Sequence, residues 1–326
     1  MQAAHRPMRL RIFLSLVRLM RSIPLLHSAI WNARLRYHAM KRTLIVGKSV
    51  VAAESHLKAS ILGKIPYAAG KLGSIEASAL YAYMGRAKAK SKNLRPSVYP
   101  PYIFNALYVN AGVFPQSVDA YDKFGEMFLS AIVDCDLLVA WDVAGEAEIV
   151  ARYCRNATLV KSLEPFFSAQ PWTAALQGRC VLVISPFTSS IRKQYALHET
   201  LWDNNHVLPT FDLLTLQAPL SAALSPPKDV DWFTALKRMQ GEMDALDYDV
   251  ALIGAGAFSL PLAIHAKRQG KIGIHLGGSL QILFGIYGSR WEKKPAFKPL
   301  IKSNWVRPSR EETPTEAAKV EDGCYW

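Results

Sequence analysis

From about residue 65 onward, short apolar segments alternate with longer segments whose apolar residues recur at helical spacing. The short segments have the length of strands and few polar residues, which is typical of strands covered on both faces. Strands that are separated by helices form parallel βαβ units. We therefore predict an α/β fold, a Rossmann-like mostly parallel sheet with helices on both faces. The predicted strands are residues 65–73, 137–141, 180–185, 211–219, 250–256 and 271–277.

Helices are predicted for the segments between these strands. Ser117 is a candidate capping residue for one of them, and Gly270 is the expected end of another. The apolar run after Ser279 also fits a helix, and the tail after Lys293 is polar and interrupted by prolines. The predicted helices are residues 74–90, 117–134, 146–154, 189–202, 231–247 and 258–270, with a short one within 95–115.

The N-terminal segment has a charge pattern of its own. Residues 1–53 contain ten Lys or Arg and no Asp or Glu, so they carry ten of the thirteen net positive charges. Residues 8–31 mix arginines with large apolar side chains at roughly helical spacing. A helix on an anionic membrane surface has this pattern, and so does an ordinary helix packed on its own domain. We predict a basic amphipathic helical extension over 1–60 and an α/β domain over 61–326, with a candidate sub-boundary near 168–177.

Composition excludes several classes. No stretch reaches the ~18 consecutive apolar residues of a membrane-spanning helix, and "IFLSLV" is shorter than the core of a signal peptide. We expect a cytoplasmic protein, with peripheral attachment to the inner membrane through residues 8–42. Without residues 1–53 the net charge is near +3, which argues against a nucleic-acid partner. The four cysteines have no CxxC spacing, so free thiols are expected and a zinc site is not.

Ligands of open parallel sheets bind beyond the carboxyl ends of the strands. One such turn follows the strand 180–185 and leads into a helix start with Thr188, Ser189 and Arg192. Free N–H groups and hydroxyls at a helix start attract anions, and an arginine can add charge-assisted hydrogen bonds. These three residues are predicted to contact a phosphate-bearing ligand, although Arg192 is also consistent with a solvated helix charge.

Two glycine-rich turns occupy equivalent positions. Gly254 and Gly256 lie at the end of the segment 250–256, and His275, Gly277 and Gly278 lie at the end of the segment 271–277 and just beyond it. Glycines let the backbone approach a phosphate closely, and they also allow tight helix–strand packing. The stretch "GAGAFS" lacks the third glycine of the dinucleotide fingerprint and the acidic residue that should follow, so a nicotinamide cofactor is not expected.

Three acidic features are candidates for chemistry. Asp134-Cys135-Asp136 matches the DxD motif of many glycosyltransferases. It precedes the strand 137–141, however, and is interpreted as a turn at the sheet edge opposite the expected ligand site. Asp142 follows Trp141 at the expected ligand edge, where it is either a catalytic carboxylate or a cap. Glu76 follows an early strand and could serve as a base or a metal ligand, or as an early-helix charge that the helix dipole favours.

Five blocks between about residue 65 and Trp326 carry a resemblance to a known family. They are "GKLGSIEASAL", "NALYVNAGVFP", "SLEPFF…PWTAALQGRCVLVISPF", "VALIGAGAFSLPLAIHAKRQGKIGIHLGGSLQILFGIYGSRW" and "WVRPSREETP…KVEDGCYW". In these blocks the chain resembles proteins of bacterial polysaccharide clusters that are classed with the GT-D-type glycosyltransferases. The resemblance implies transfer of a sugar from a nucleotide-sugar donor on a Rossmann-like sheet.

The resemblance also implies roles for particular residues. Characterised relatives carry a DxE motif after an early strand, tied to nucleotide and metal binding, and the corresponding stretch is Gly73-Ser74-Ile75-Glu76. Glu76 is present, but Ser74 replaces the aspartate. Serine is a poorer ligand for Mn²⁺ or Mg²⁺ than a carboxylate, so the implied metal site rests on Glu76. Lys71 stands where an arginine is common and is expected to pair with phosphate.

The principal hypothesis is a glycosyltransferase that moves a sugar to a glycan acceptor, expected to be lipid-linked, in envelope or exopolysaccharide assembly. Glu76, His275 and Asp142 are its candidate catalytic residues. Two alternatives remain: a scaffold of a polysaccharide assembly complex that has lost the metal site, and another nucleotide-sugar-using Rossmann-like enzyme such as an epimerase or a pyruvyltransferase. The candidate ligand-binding residues are Lys71, Gly73, Ser74, Thr188, Ser189, Arg192, Gly254, Gly256, Gly277 and Gly278.

Overall fold

The computed structural model describes residues 50–51, 53–139, 141, 143, 145–221 and 223–326. The described chain forms one eight-stranded sheet in which every neighbouring pair is parallel. The strands are β1 (Val50–Val51), β2 (Tyr67–Lys71), β3 (Leu137–Val139), β4 (Thr158–Val160), β5 (Cys180–Ser185), β6 (Asp212–Gln217), β7 (Val250–Ile253) and β8 (Ile272–His275). Their order across the sheet is β1-β4-β3-β2-β8-β7-β5-β6.

Helices cover both faces of the sheet, as the alternating pattern predicted. They are α1 (Ala53–Gly63), α2 (Ser74–Lys90), α3 (Pro101–Val109), α4 (Val118–Ile132), α5 (Glu146–Tyr153), α6 (Thr188–Tyr195), α7 (His198–Leu201), α8 (Trp232–Asp244), α9 (Ser259–Arg268), α10 (Ser279–Leu283) and α11 (Ser289–Glu292). The α/β Rossmann-like arrangement is therefore confirmed. Within the described ranges, no helix combines the length and the apolar character that crossing a bilayer requires.

Alternate residues of the strands point into two separate hydrophobic cores. In β5, Leu182 and Ile184 pack in the core beneath α2, α4, α8 and α9. Val181 and Val183 pack in the opposite core, with residues of α1, α6, α7 and α10. This period of two explains why the inner strand β5 is apolar along most of its length, since both of its faces are buried.

Local differences from the prediction have local causes. The segment predicted as one helix over 189–202 is two helices, because the chain turns at Leu197, whose N–H bonds to the Gln194 carbonyl (2.9 Å). The three-residue strand β4 was missed, since so short a segment shows no periodicity. The cap at Ser117 is confirmed: its hydroxyl accepts the Ala120 N–H at 3.1 Å.

The domain core begins before the predicted boundary between residues 60 and 61. Helix α1 crosses that boundary, and its Leu57 and Ile61 are fully buried in one core. These residues lie four apart and therefore share one helix face. Most of the predicted basic extension, including the membrane-binding range 8–42, lies outside the described residues. Strands from both sides of the candidate sub-boundary at 168–177 belong to the same sheet, with β2 beside β8.

The topology creates a crevice at the carboxyl edge of the sheet. Neighbouring strands β5 and β7 lead into helices on opposite faces, since Ile191 of α6 and Leu262 of α9 lie in different cores. Where such connections diverge, parallel sheets leave a crevice outside the strand ends. The turns after β2, β5, β7 and β8 therefore converge on one place.

We predict that Gly273→Ala destabilises the protein by about 3 kcal/mol, because overpacking a core costs roughly 1–3 kcal/mol or more. A Cβ at Gly273 would lie 2.2 Å from the Ala263 carbonyl oxygen, so β8 and α9 would have to separate. The matched control is Gly241→Ala in α8, where nothing lies within 4 Å. Urea denaturation should show the control equal to or more stable than wild type. Equal stability of the two variants would contradict the prediction.

Candidate functional site

A cavity of about 320 Å³ opens at the carboxyl edge of the sheet. This volume lies within the range of small-molecule sites, about 300–1,000 Å³. Of the thirteen residues that the sequence analysis named for the site, nine line this one cavity. They are Lys71, Gly73, Ser74, Glu76, Gly254, Gly256, His275, Gly277 and Gly278.

A buried ion pair forms part of the cavity wall. Lys71, at the end of β2, is 6% exposed, and its ammonium lies 2.9 Å from the Glu164 carboxylate. Ser279 donates its hydroxyl to the same carboxylate at 2.6 Å. Burial raises the pKa of Glu164, but Lys71 and the hydroxyls of Ser162 and Ser279 outweigh burial and lower it to about 2. Lys71 therefore has an internal anion and is not a free phosphate-binding cation.

Glu164 was not identified from the sequence. It follows β4, and the strand that would have marked its position is three residues long. A usable signal was present in "SLEPFF", where a carboxylate stands between a strand and a proline. Its placement at the ligand edge depends on β4 pairing with β3.

His275 ends β8 and is a neutral imidazole inside the cavity wall. Burial and then the positive charge of Lys71 lower its pKa from 6.5 to about 3. Its Nδ1 lies 3.1 Å from the Gly277 nitrogen and accepts that N–H in the tautomer that is protonated at Nε2. In this state His275 can donate a hydrogen bond to a ligand.

Glu76 is a carboxyl group in the first turn of α2. A Cβ at Gly73 would lie 2.2 Å from Oε2 of Glu76, so the carboxylate fills the space that a side chain at position 73 would need. Burial, with a smaller contribution from Glu321, raises the pKa of Glu76. Among the described residues no Lys, Arg or His lies within ion-pair distance of it. Glu76 is thus the carboxyl group of this site that is suited to exchange a proton.

The glycine turns serve packing as well as access. A Cβ at Gly254 would lie 2.7 Å from the Gly277 carbonyl oxygen, so the turns after β7 and β8 pack backbone against backbone. The Gly254 N–H bonds to the Ile184 carbonyl and the Gly277 N–H to the Ile253 carbonyl. Within the described part of the chain, the N–H groups of Gly256 and Gly278 have no acceptor. These two, rather than all four, have a donor that is free to bind a ligand.

The predicted anion site at α6 binds an anion that belongs to the chain itself. The Glu312 carboxylate accepts the N–H of Ser189 at 2.7 Å, the N–H of Ser190 at 3.2 Å and the Ser190 hydroxyl. Thr188 donates its hydroxyl to Gln217, and Arg192 donates to the Thr215 hydroxyl at 2.7 Å.

None of Thr188, Ser189 and Arg192 lines the cavity. The prediction that they contact a ligand phosphate is therefore corrected. The N-terminus of α6 does attract an anion, but that anion is the Glu312 carboxylate, from the C-terminal segment of residues 294–326. The sequence showed Glu312 only as part of a polar tail, so nothing in the local pattern marked it as the partner.

Aromatic and basic side chains that sequence reasoning missed complete the cavity. The C-terminal segment returns to the site, where Gln281 donates to the Tyr325 carbonyl at 2.9 Å and Arg290 donates to the Tyr325 hydroxyl at 2.8 Å. Trp326 is held by a hydrogen bond from its indole to the Glu312 carbonyl at 2.8 Å. The aromatic residues of the lining are Trp141, Phe187, Phe258, Trp291, Phe297, Tyr325 and Trp326.

The described residues do not fit a divalent-metal site. In that part of the chain no group of three His, Cys, Asp or Glu is placed to hold an ion. Ser74 is exposed, Glu164 is paired with Lys71 and Glu321 is paired with Arg290, which leaves Glu76 as the unpaired carboxylate of the described lining. Asp142 lies outside the described residues.

The two aspartates of the DxD motif at residues 134–136 form contacts within the protein. Asp136 accepts the Ala68 N–H at 2.9 Å and pairs with Lys267, and Asp134 pairs with Arg268. These contacts lie at the amino ends of the strands, opposite the cavity, as the sequence analysis interpreted them. The four cysteines are free thiols.

Comparison with known proteins found no matching family model, no similar curated protein and no similar solved structure. The resemblance to the GT-D-type glycosyltransferases therefore stays a hypothesis, and the site's own geometry has to support any function.

We predict that His275→Gln flattens the dependence of stability on pH. The folded state keeps His275 neutral down to about pH 3, whereas the unfolded chain protonates it near pH 6.5. Between these values the unfolded state binds the extra proton, so stability falls as pH falls, by about 1.4 kcal/mol per pH unit. Urea midpoints at pH 4.5, 5.5 and 6.5 measure the slope. The exposed His206, as His206→Gln, is the control and should keep the wild-type slope; an unchanged slope in His275→Gln would contradict the prediction.

A second prediction concerns the anchor of the C-terminal segment. Glu312→Gln should lower the free energy of unfolding by about 1.5–3 kcal/mol, the usual scale of hydrogen bonds to a charged group. The control is Glu316→Gln, which removes an exposed carboxylate paired with Lys319 and should change stability by less than about 0.5 kcal/mol. Chemical denaturation compares the two, and a Glu312→Gln variant as stable as the control would show that the anchor contributes nothing.

Proposed function

We propose that the protein is a glycosyltransferase that uses a nucleotide-sugar donor, bound in the cavity at the carboxyl edge of the sheet. The observation that carries this proposal is the convergence of nine predicted site residues, from the turns after β2, β7 and β8, on one cavity. Sheets of this kind bind nucleotides at such crevices. The fold alone does not imply the activity, so the chemistry of the lining has to be compatible with it.

The lining suits the parts of such a donor. Aromatic side chains can stack on a base or on the apolar face of a sugar. The free N–H groups of Gly256 and Gly278, together with the His275 ring, can donate hydrogen bonds to phosphate oxygens. None of these donors belongs to the Lys71–Glu164 ion pair, so they can contact a diphosphate while that pair stays intact.

Glu76 is the proposed general base. In the transfer, an acceptor hydroxyl oxygen forms a bond to the anomeric carbon while the bond from that carbon to the donor's diphosphate breaks. The hydroxyl proton passes to the Glu76 carboxylate, and the nucleoside diphosphate leaves with the electron pair of the broken bond. The raised pKa of Glu76 makes its carboxylate a better proton acceptor near neutral pH.

The proposed acceptor is a lipid-linked glycan at the inner surface of the membrane, in envelope or exopolysaccharide assembly. Support comes from the ten basic residues of 1–53 without any acidic residue, because a polybasic segment is attracted to anionic lipids. The proposal therefore includes a cytoplasmic location with peripheral attachment to the membrane.

A second candidate function is a scaffold that retains the fold without catalysis. Two observations favour it: Ser74 stands where the resemblance implies an aspartate, and the described residues do not form a metal-binding group. A scaffold would have no need to bind a nucleotide, which makes nucleotide binding the deciding measurement.

A thermal-shift screen against UDP, GDP, CMP, dTDP and NAD, each with and without Mn²⁺, tests the proposal. We expect one nucleoside phosphate to raise Tm by several degrees, since a ligand at 100 times its Kd stabilises by about 2.7 kcal/mol. Dependence of the shift on Mn²⁺ would reveal a metal site that the described residues do not account for. No shift with any nucleotide would favour the scaffold.

Glu76→Gln should all but abolish transfer: kcat should fall by at least about 100-fold, because a general base contributes a factor of roughly 10²–10⁴ to the rate. The substitution keeps the side-chain shape, so Tm should stay close to that of wild type. Release of the nucleoside diphosphate from the donor found in the screen measures the rate. Glu126→Gln, an exposed carboxylate on α4, should retain activity; full turnover by Glu76→Gln would remove Glu76 from the catalytic role.

A further inference from the structure

One wall of the cavity carries more positive than negative charge. Lys71 is paired with Glu164, and Arg290 lies 2.9 Å from Glu321. Lys294 lines the same cavity and, among the described residues, has no acidic partner within ion-pair distance. The ion pairs formed inside the protein thus leave the ammonium of Lys294 as the uncompensated charge of this wall.

Aromatic rings position that ammonium at the cavity. Nζ of Lys294 lies 5.2 Å from the ring centre of Trp291 and 5.5 Å from that of Phe297. Contacts of this kind hold a cation over ring faces while leaving its other side open. Lys294 is exposed at the cavity mouth, and partial desolvation there, followed by repulsion from Arg290, lowers its pKa. An anion beside it would relieve both effects, since an opposite charge favours the protonated lysine.

Backbone and side-chain polar groups without partners lie on the same wall. Nε1 of Trp291 and Oε1 of Gln281 are buried and have no hydrogen-bond partner in the described part of the chain. Both residues line the cavity, and the free N–H of Gly278 is beside them: a Cβ at Gly278 would lie 3.1 Å from the Trp291 ring. The two side-chain atoms are closed off from solvent, so the Gly278 N–H is the donor of this group that a ligand beside Lys294 can use.

We propose that Lys294, with the Gly278 N–H beside it, forms the subsite that binds the diphosphate group of the ligand. This inference rests on the proposed function and replaces the predicted site at Thr188, Ser189 and Arg192. A diphosphate has enough oxygens to accept hydrogen bonds from several donors at once, and its negative charge balances that of the lysine. The diphosphate can belong to a nucleotide-sugar donor or to a prenyl-diphosphate-linked acceptor.

The test compares Lys294→Gln with Lys293→Gln in the full-length protein. Lys293 is the matched control, because it is the adjacent residue, is exposed, carries the same charge and does not line the cavity. Calorimetric titrations with UDP, GDP, dTDP, inorganic pyrophosphate and geranyl diphosphate give the Kd of each probe, and uridine, guanosine and thymidine serve as uncharged probes.

We expect Lys294→Gln to raise the Kd of a diphosphate probe about tenfold or more, the effect of losing one charge-assisted contact. It should leave the Kd of a nucleoside unchanged, and Lys293→Gln should bind like wild type. A lysine that only supports the wall would change nucleoside and diphosphate binding together, which would overturn the inference.

The pattern of probes separates this inference from the proposed function. If nucleoside diphosphates bind equally to both variants, the subsite is wrong and the donor proposal stands. If only pyrophosphate or geranyl diphosphate binds, and binding depends on Lys294, the subsite stands and a nucleotide donor is contradicted. Absence of binding by every probe to wild type overturns both.

Discussion

Strands β2 and β8 lie side by side at the centre of the sheet, with Tyr67 paired to Ile272 across the sequence. Because this pairing is parallel, the turns after both strands emerge at the same edge. Lys71 and His275 end these strands, and both line the cavity. Without this contact the early turn with Glu76 and the late glycine turns would have no common space, so the candidate site depends on the one long-range pairing.

Most charged groups at the site have an oppositely charged or hydrogen-bonding partner within the chain. Glu164 neutralises Lys71, Glu312 occupies the N-terminus of α6, and Glu321 pairs with Arg290. Each carboxylate comes from a loop or from the C-terminal segment, so these segments contribute as much to the site as the sheet does. The internal pairs leave Glu76 and Lys294 as the charged side chains of the described lining that have no internal counter-charge, and these are the groups that a ligand would meet.

The alternation of apolar and helical segments was sufficient to predict the α/β class, and the predicted strands are found in the sheet within a few residues. Apolar periodicity reports burial, and burial on both faces requires a layered parallel sheet. The glycine turns were also predictable, since glycines come at the ends of two apolar segments; that Gly254 packs against the Gly277 backbone is a finding of the structure. The part of the cavity wall formed by Tyr325 and Trp326 was not predictable. These residues belong to no periodic pattern, and hydrogen bonds to residues distant in the sequence hold them at the cavity.

The sequence by itself determined the fold class, the carboxyl-edge turns and nine of the residues that meet in the cavity. Strand order and the pairing of distant charges were decided by the tertiary structure. A hydroxyl-rich helix start is an anion site by local chemistry alone, but whether a ligand or Glu312 fills it depends on where the chain returns. Lys71 likewise has the chemistry of a phosphate-binding residue, and only its 2.9 Å contact with Glu164 makes it an internal ion pair.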